Sequence, residues 1–124
     1  MAKRINSRRK GKDGELELVA FLKAQGIEAR RGQQFRGGGD SPDVIANGCL
    51  SGVHIECKRK EAGSLYEWLK QAIRDASVYC IDRARTLPVV MHRKSKEEWV
   101  AILRLEDFIA IMKQAEGNSN GQAH

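Results

Sequence analysis

The chain has 124 residues, 41% of them hydrophobic, and a formal charge of +6, which indicates one domain with a polyanionic partner. Its three cysteines form no Cys-x-x-Cys pair and its three histidines are scattered, which argues against a zinc site and a disulfide framework. No apolar run is long enough to cross a membrane. These features exclude a membrane protein and a disulfide scaffold, and they favour a reducing cytoplasm.

The first segment, residues 1–12, is strongly basic. Six Lys and Arg side chains precede the first acid, Asp13, which equals the whole formal charge of +6, so the rest of the chain is neutral overall. We predict an N-terminal arm that contacts phosphates. A solubility feature or a targeting peptide would also be basic, but the apolar stretch of a secretory signal is missing. DNA contacts are predicted for Arg8, Arg9, Lys10 and Lys12.

A helix is predicted over residues 13–26, with the glycine at its end as the stop signal. At about 100° per residue its apolar stripe consists of Leu18, Val19 and Leu22. Glu15 lies in the middle of this stripe, and Glu17 falls on nearly the opposite side and is interpreted as ordinary surface. A buried acid is costly unless a metal, a lysine or a water pairs with it, so Glu15 is a candidate active-site residue. The alternative is an acid of the first turn that favours the helix dipole and reaches solvent.

A short strand over residues 27–31 is followed by a polar, glycine-rich loop over residues 32–41. The loop lacks the Lys-Ser/Thr ending of a P-loop. We interpret it as a flexible segment that faces DNA, with Arg31 and Arg36 available to phosphates.

Two short segments carry the chemistry: Pro42-Asp43 at the head of one apolar run, and Glu56-Cys57-Lys58 inside the next. Asn47-Gly48 predicts a hairpin turn between them. Side chains alternate along a strand, so Glu56 and Lys58 share one face while the apolar positions face a core. With Asp43 as a second carboxylate, this face could hold a divalent cation and a lysine around one phosphate. The alternative is a solvated ion pair at the end of an amphipathic strand.

The second half of the chain predicts a helix that starts at Ser64, with a capping box to Glu67. Gln71 lies at the edge of its apolar stripe; it could touch the site, although an outward-facing surface glutamine is favoured. Two strands follow at 88–92 and 99–103, joined by a basic turn, and a last helix begins near Leu105. Residues 116–124 are predicted to be a disordered tail. The order is α-β-β-β-α-β-β-α, a mixed α/β sheet flanked by helices.

In these residues the chain resembles the PD-(D/E)xK nucleases, and within them the archaeal-type Holliday junction resolvases and small phage resolvase-like endonucleases. The resemblance covers residues 9–103 and rests on Arg9-Lys10-Gly11, Glu15, Asp43 and Glu56-x-Lys58. It implies a restriction-endonuclease-like fold over residues 13–115, a DNA substrate that is a branched or four-way junction, and a homodimer. It also implies that the protein acts in the cytoplasm of a bacterial, archaeal or phage-infected host cell.

The hydrolytic mechanism that we expect uses Mg²⁺, with Mn²⁺ as a substitute. Its ligands would be Asp43, Glu56, the backbone carbonyl of Cys57 and Glu15, which hold one or two ions. Lys58 would orient the attacking water or stabilise the transition state. A restriction-like enzyme or a repair nickase would share this chemistry, and a DNA-binding module without catalysis is the alternative from another class. Two acids that face a polyanion argue against that module.

Overall fold

The computed structural model describes residues 7–32, 42–79 and 86–122, with side chains over 11–32, 42–77 and 86–118. Its elements follow the predicted order. They are α1 (Ser7–Ala24), β1 (Ala29–Arg31), β2 (Val44–Ala46), β3 (Val53–Arg59), α2 (Leu65–Tyr79), β4 (Leu87–Arg93), β5 (Val100–Ile102) and α3 (Leu105–Gln122). A short 3-10 helix, Gly48–Leu50, connects β2 to β3. The predicted mixed α/β sheet with flanking helices is confirmed.

The five strands form one sheet in the order β1-β2-β3-β4-β5. Only the central pair, β3 and β4, is parallel; the other three pairs are antiparallel. A parallel pair needs a crossover, and α2 supplies it. As a result β3 and β4 end at the same edge of the sheet.

The two faces of the sheet are covered by different helices, as the alternation along β3 predicts. On one face, Ile55 packs in a buried cluster with the apolar stripe of α1, and Val53 and Cys57 lie against that cluster. On the other face, Trp68 and Ala72 of α2 pack on Val90 of β4. Leu18, Val19 and Leu22 are all buried, which confirms the predicted stripe of α1.

α1 approaches the sheet closely at Gly14. A Cβ atom at this position would lie 2.7 Å from the Cβ atom of Arg59, which is closer than the two side chains can pack. A glycine is therefore required where the helix crosses the end of β3. This contact brings the acids of the first half of α1 to the edge at which β3 and β4 end.

The bounds of several elements differ from the prediction. α1 begins at Ser7, six residues early, because the Arg and Lys residues of the predicted arm are good helix formers. α3 continues to Gln122, past residue 116, where the tail was predicted to begin; each added residue completes one helical hydrogen bond. The first strand is two residues shorter than predicted. β2 and β3 form the hairpin predicted at Asn47-Gly48, and their connection contains a 3-10 helix that starts at Gly48, whose φ of +66° suits glycine. The division into arm and nuclease domain stays a prediction.

Candidate active site

The predicted catalytic residues of β2 and β3 meet because of the strand register. Val44 pairs with Ile55, and the Asp43 amide just before it donates to the Ile55 carbonyl at 2.9 Å. The Asp43 side chain turns back, and its Oδ2 atom accepts a hydrogen bond of 2.9 Å from the Cys57 amide. The carboxylate is thus held against the backbone of the Glu-x-Lys segment.

Asp43 and Glu56 form a close carboxyl pair. Burial raises the pKa of each to about 7, and the two groups share a hydrogen bond. Glu56 is only 2% exposed. Two buried acids that share one proton at neutral pH are costly for a structural purpose. A divalent cation placed between them would remove that cost.

Lys58 is hydrogen-bonded to Gln71, a residue that was predicted to face solvent. Its Nζ donates to Oε1 of Gln71 at 3.1 Å, and Gln71 is half-buried, so the favoured interpretation of Gln71 as an outward-facing surface residue is wrong. α2 begins after Ser64, whose Oγ accepts from the Glu67 amide at 3.3 Å, as the capping box predicts. This start fixes the register in which Gln71 reaches β3.

Asp75, one turn after Gln71, was missed by the sequence argument. It is 7% exposed, and its Oδ2 atom has no hydrogen-bond partner in the part of the chain that the structure describes. Its charge raises the pKa of Glu56, after the larger effect of burial. α2 therefore presents Gln71 to Lys58 and Asp75 to Glu56. Asp75 could be predicted from the helical wheel, as Glu15 was, because it lies among the buried positions Ala72 and Ala76.

His54 is a second missed residue. Its Nε2 atom lies 3.0 Å from Oε1 of Glu56, and both side chains are almost fully buried. The two residues are two positions apart on β3 and therefore share a face. The histidine fixes the orientation of the Glu56 carboxyl group.

Glu15 of α1 lies close enough to Asp43 for the two charges to interact. Its side chain is 15% exposed and accepts a hydrogen bond of 2.9 Å from Nε of Arg31. Burial is the largest influence on Glu15 and raises its pKa, and the charge of Asp43 adds to the shift. Glu15 is thus neither solvated nor directed away from the site. Arg31, predicted as a phosphate contact, holds this acid.

Glu17 is not ordinary surface. Arg59 donates to it through Nε at 3.1 Å, and Arg93 donates to it through Nη1. Arg59 and Arg93 are opposite each other at the ends of β3 and β4. Two strand-end guanidinium groups therefore anchor α1, a contact that the pattern of one helix cannot show.

Of the other predicted DNA contacts, the structure describes the side chain of Lys12 alone. Lys12 is exposed on α1. The remaining predicted contacts lie outside the described side chains: Arg8, Arg9, Lys10 and Arg36.

The donor set fits a hard divalent cation. Asp43 and Glu56 offer carboxylate oxygens and the Cys57 carbonyl offers another, which are the ligands that Mg²⁺ prefers. Within the described part of the chain, no three His, Cys, Asp or Glu side chains group as metal ligands. A cation here would rely on the carboxyl pair and the backbone. Across the same residues, no helix is both long and apolar enough to cross a membrane.

A five-strand mixed sheet that brings an aspartate, a Glu-x-Lys strand and a helix glutamate to one edge defines a nuclease of the PD-(D/E)xK type. The family model of the archaeal Holliday junction resolvases (Hjc) matches residues 6–117. The chain belongs to this family, and its function is that of a Holliday junction resolvase nuclease.

Solved structures agree on the fold. The Holliday junction resolvase Hjc of the archaeal hyperthermophile Archaeoglobus fulgidus superposes with a TM-score of 0.53 at 20% identity, over 76% of this chain and 72% of that chain. No curated protein matches the chain significantly.

Proposed function

We propose that the chain hydrolyses phosphodiesters of four-way DNA junctions with the help of Mg²⁺ held by Asp43 and Glu56. The observation that carries the proposal is the buried carboxyl pair beside Lys58. Such a pair resists ionisation without a cation and gains from one. When bound, Mg²⁺ supplies a water of lowered pKa and neutralises charge on the phosphate.

The residues of the site have different parts in this chemistry. Asp43, fixed by the Cys57 amide, and Glu56, fixed by His54, hold the cation together with the Cys57 carbonyl. Glu15, which the charge of Asp43 affects, adds a further carboxylate.

Lys58 is held by Gln71, which accepts from one of the three donors of its ammonium group. Within the described residues Gln71 is the hydrogen-bond partner of this group, so its other donors could stabilise a phosphate oxygen or orient the attacking water. Gln71 is therefore a positioning residue for Lys58.

The chain acts as a homodimer in this proposal. A four-way junction has two equivalent strands to cut, and a two-fold dimer presents two sites to them. α3 supports this assembly, because it leaves apolar side chains in solvent that a second copy could cover. They include Leu105, Phe108, Ile109 and Met112. With DNA as its substrate, the dimer would act in the cytoplasm, and the basic residues before Asp13 would contact the DNA arms.

A cleavage panel tests the proposal. Four-way junction, flap, nicked duplex and linear duplex would be incubated with the protein in Mg²⁺, Mn²⁺ or EDTA. We expect paired nicks on the junction in either metal, much slower cutting of linear duplex and none in EDTA. Equal cutting of all four DNAs would contradict junction selectivity, and cutting in EDTA would contradict the metal.

A further inference from the structure

Two loops leave the sheet beside Lys58. In the parallel pair Lys58 is opposite His92, and Arg59 is opposite Arg93. Lys60 and Lys94 therefore follow two residues beyond the level of Lys58, about 7 Å along the strands. We call residues 94–98 the β4–β5 turn.

Hydrogen bonds hold the β4–β5 turn against the loop that follows β3. Glu61 accepts from the Ser95 amide at 3.1 Å and from the Ser95 hydroxyl at 3.0 Å. Its carboxylate also accepts from Nη1 of Arg59 at 2.9 Å. The Lys60 amide donates to the Arg93 carbonyl at 3.2 Å. The turn is thus fixed in place although its side chains lie in solvent.

Lys96 adopts an unusual backbone conformation within this turn. Its φ is +68°, and it is the one residue other than glycine with a positive φ among those that the structure describes. Side chains disfavour this region, which glycine enters at no steric cost. A lysine therefore occupies a position that glycine would fill more easily.

The lysines of this edge are available to a ligand. Lys60, Lys94 and Lys96 are exposed, and over the described residues none of them lies within ion-pair distance of a carboxylate. Two exposed acids, Glu97 and Glu98, follow directly. Net charge alone therefore does not single out this turn; the combination of a fixed turn with a disfavoured lysine conformation does.

We propose that the β4–β5 turn is a phosphate-binding surface for the DNA backbone, with Lys96 as its main contact and Lys94 and Lys60 beside it. The surface begins about two residues past Lys58, so it would bind the DNA strand next to the cleavage position. This inference rests on the proposed DNA substrate. It adds a contact that neither the basic N-terminal segment nor the glycine-rich loop provides.

Substitutions at Lys96 separate its charge from its conformation. Binding of a four-way junction would be measured in EDTA, where no cutting occurs, at several salt concentrations. We expect Lys96→Gln and Lys96→Gly to weaken binding several-fold and to flatten the slope of log K against log salt by up to ~0.9. Lys96→Arg keeps the charge and should bind like wild type. Lys96→Gly should melt at the same or a higher temperature, because glycine suits the positive φ.

Lys23→Gln is the matched control, because Lys23 is exposed in the last turn of α1, about 9 Å along the helix from Glu17. An unchanged salt slope in Lys96→Gln and Lys96→Gly would overturn the proposal, and so would an equal loss in Lys23→Gln. A lower melting temperature for Lys96→Gly would overturn the conformational argument. Wild-type protein that binds junctions without cutting them would refute the proposed function and leave this surface standing.

Discussion

Burial governs the behaviour of the acids around Lys58. Glu56 and Asp75 are buried and Asp43 is half-buried, and the charge of Lys58 acts on Asp43 and Glu56. Desolvation favours the neutral form of a carboxyl group, and neighbouring negative charge adds to that effect. Burying these acids therefore costs stability in the metal-free protein, and under the proposed function a bound cation would offset that cost.

Asp75→Asn tests this cost at one residue. The substitution removes a buried charge beside Glu56 and gives the position amide donors, so we expect the metal-free protein to gain about 1–2 kcal/mol of stability. For a domain of this size that is roughly 4–12 °C in melting temperature. Cutting should become slower or should need more Mg²⁺. The measurements are melting in EDTA and cleavage rate against Mg²⁺ concentration.

Asp107→Asn on α3 is the control for Asp75→Asn, because Asp107 pairs with Arg104 outside the site. It should leave the Mg²⁺ dependence unchanged. If Asp75→Asn lowered the melting temperature in EDTA as Asp107→Asn does, burial of the Asp75 carboxylate would not destabilise the metal-free protein.

At the scale of elements, two acids of α1 have different roles: one belongs to the candidate site and the other attaches the helix to the sheet. Glu15 lies on the side of Asp43, whereas Glu17 binds the guanidinium groups that end β3 and β4. Glu15 should therefore matter for chemistry and Glu17 for the docking of the helix.

A pair of conservative substitutions separates the two roles. Glu15→Gln should lower the cutting rate at least tenfold and change the free energy of unfolding little, because the amide can still accept from Arg31. Glu17→Gln should cost about 1 kcal/mol of stability and leave the rate per folded molecule near wild type. Urea unfolding and single-turnover cleavage measure the two effects. A large rate loss from Glu17→Gln in fully folded protein would contradict this division.

Local pattern predicted several features that depend on one element, and it could not predict the contacts that a helix makes with strands distant in sequence. The alternation along β3, the apolar stripe of α1 and the Ser64 cap depend on neighbouring residues, and all three are found in the structure. The contacts of Gln71 and Glu17 depend on how a helix crosses strands distant in sequence. The side-chain periodicity of a single helix or strand carries no information about where the helix crosses the strands.

At the scale of the whole molecule, the carboxyl pair couples folding to pH. The pKa of Asp43 and of Glu56 is about 7 in the folded chain, against ordinary values of 3.8 and 4.5. A raised pKa means that the folded state binds more protons than the unfolded state between these values. The stabilising contribution is complete below pH 4 and is lost as pH rises through 7.

Melting in EDTA and in Mg²⁺ at pH 5.5 and pH 8 checks this coupling. We expect the two acids to make the metal-free protein less stable at the higher pH, and we expect Mg²⁺ to raise the melting temperature more there, because the ion replaces protons. Asp43→Asn should reduce both effects. An equal Mg²⁺ shift at the two pH values would argue that the ion binds elsewhere.

The central claim is that the Asp43–Glu56 pair is the catalytic centre of a junction resolvase. The most direct measurement compares wild type with Asp43→Asn on one four-way junction, with binding in EDTA and single-turnover cutting in Mg²⁺. We predict that Asp43→Asn binds the junction as tightly or more tightly, since it removes negative charge near phosphate, and cuts at least 100-fold more slowly. Near wild-type cutting by a folded, junction-bound Asp43→Asn protein would contradict the claim.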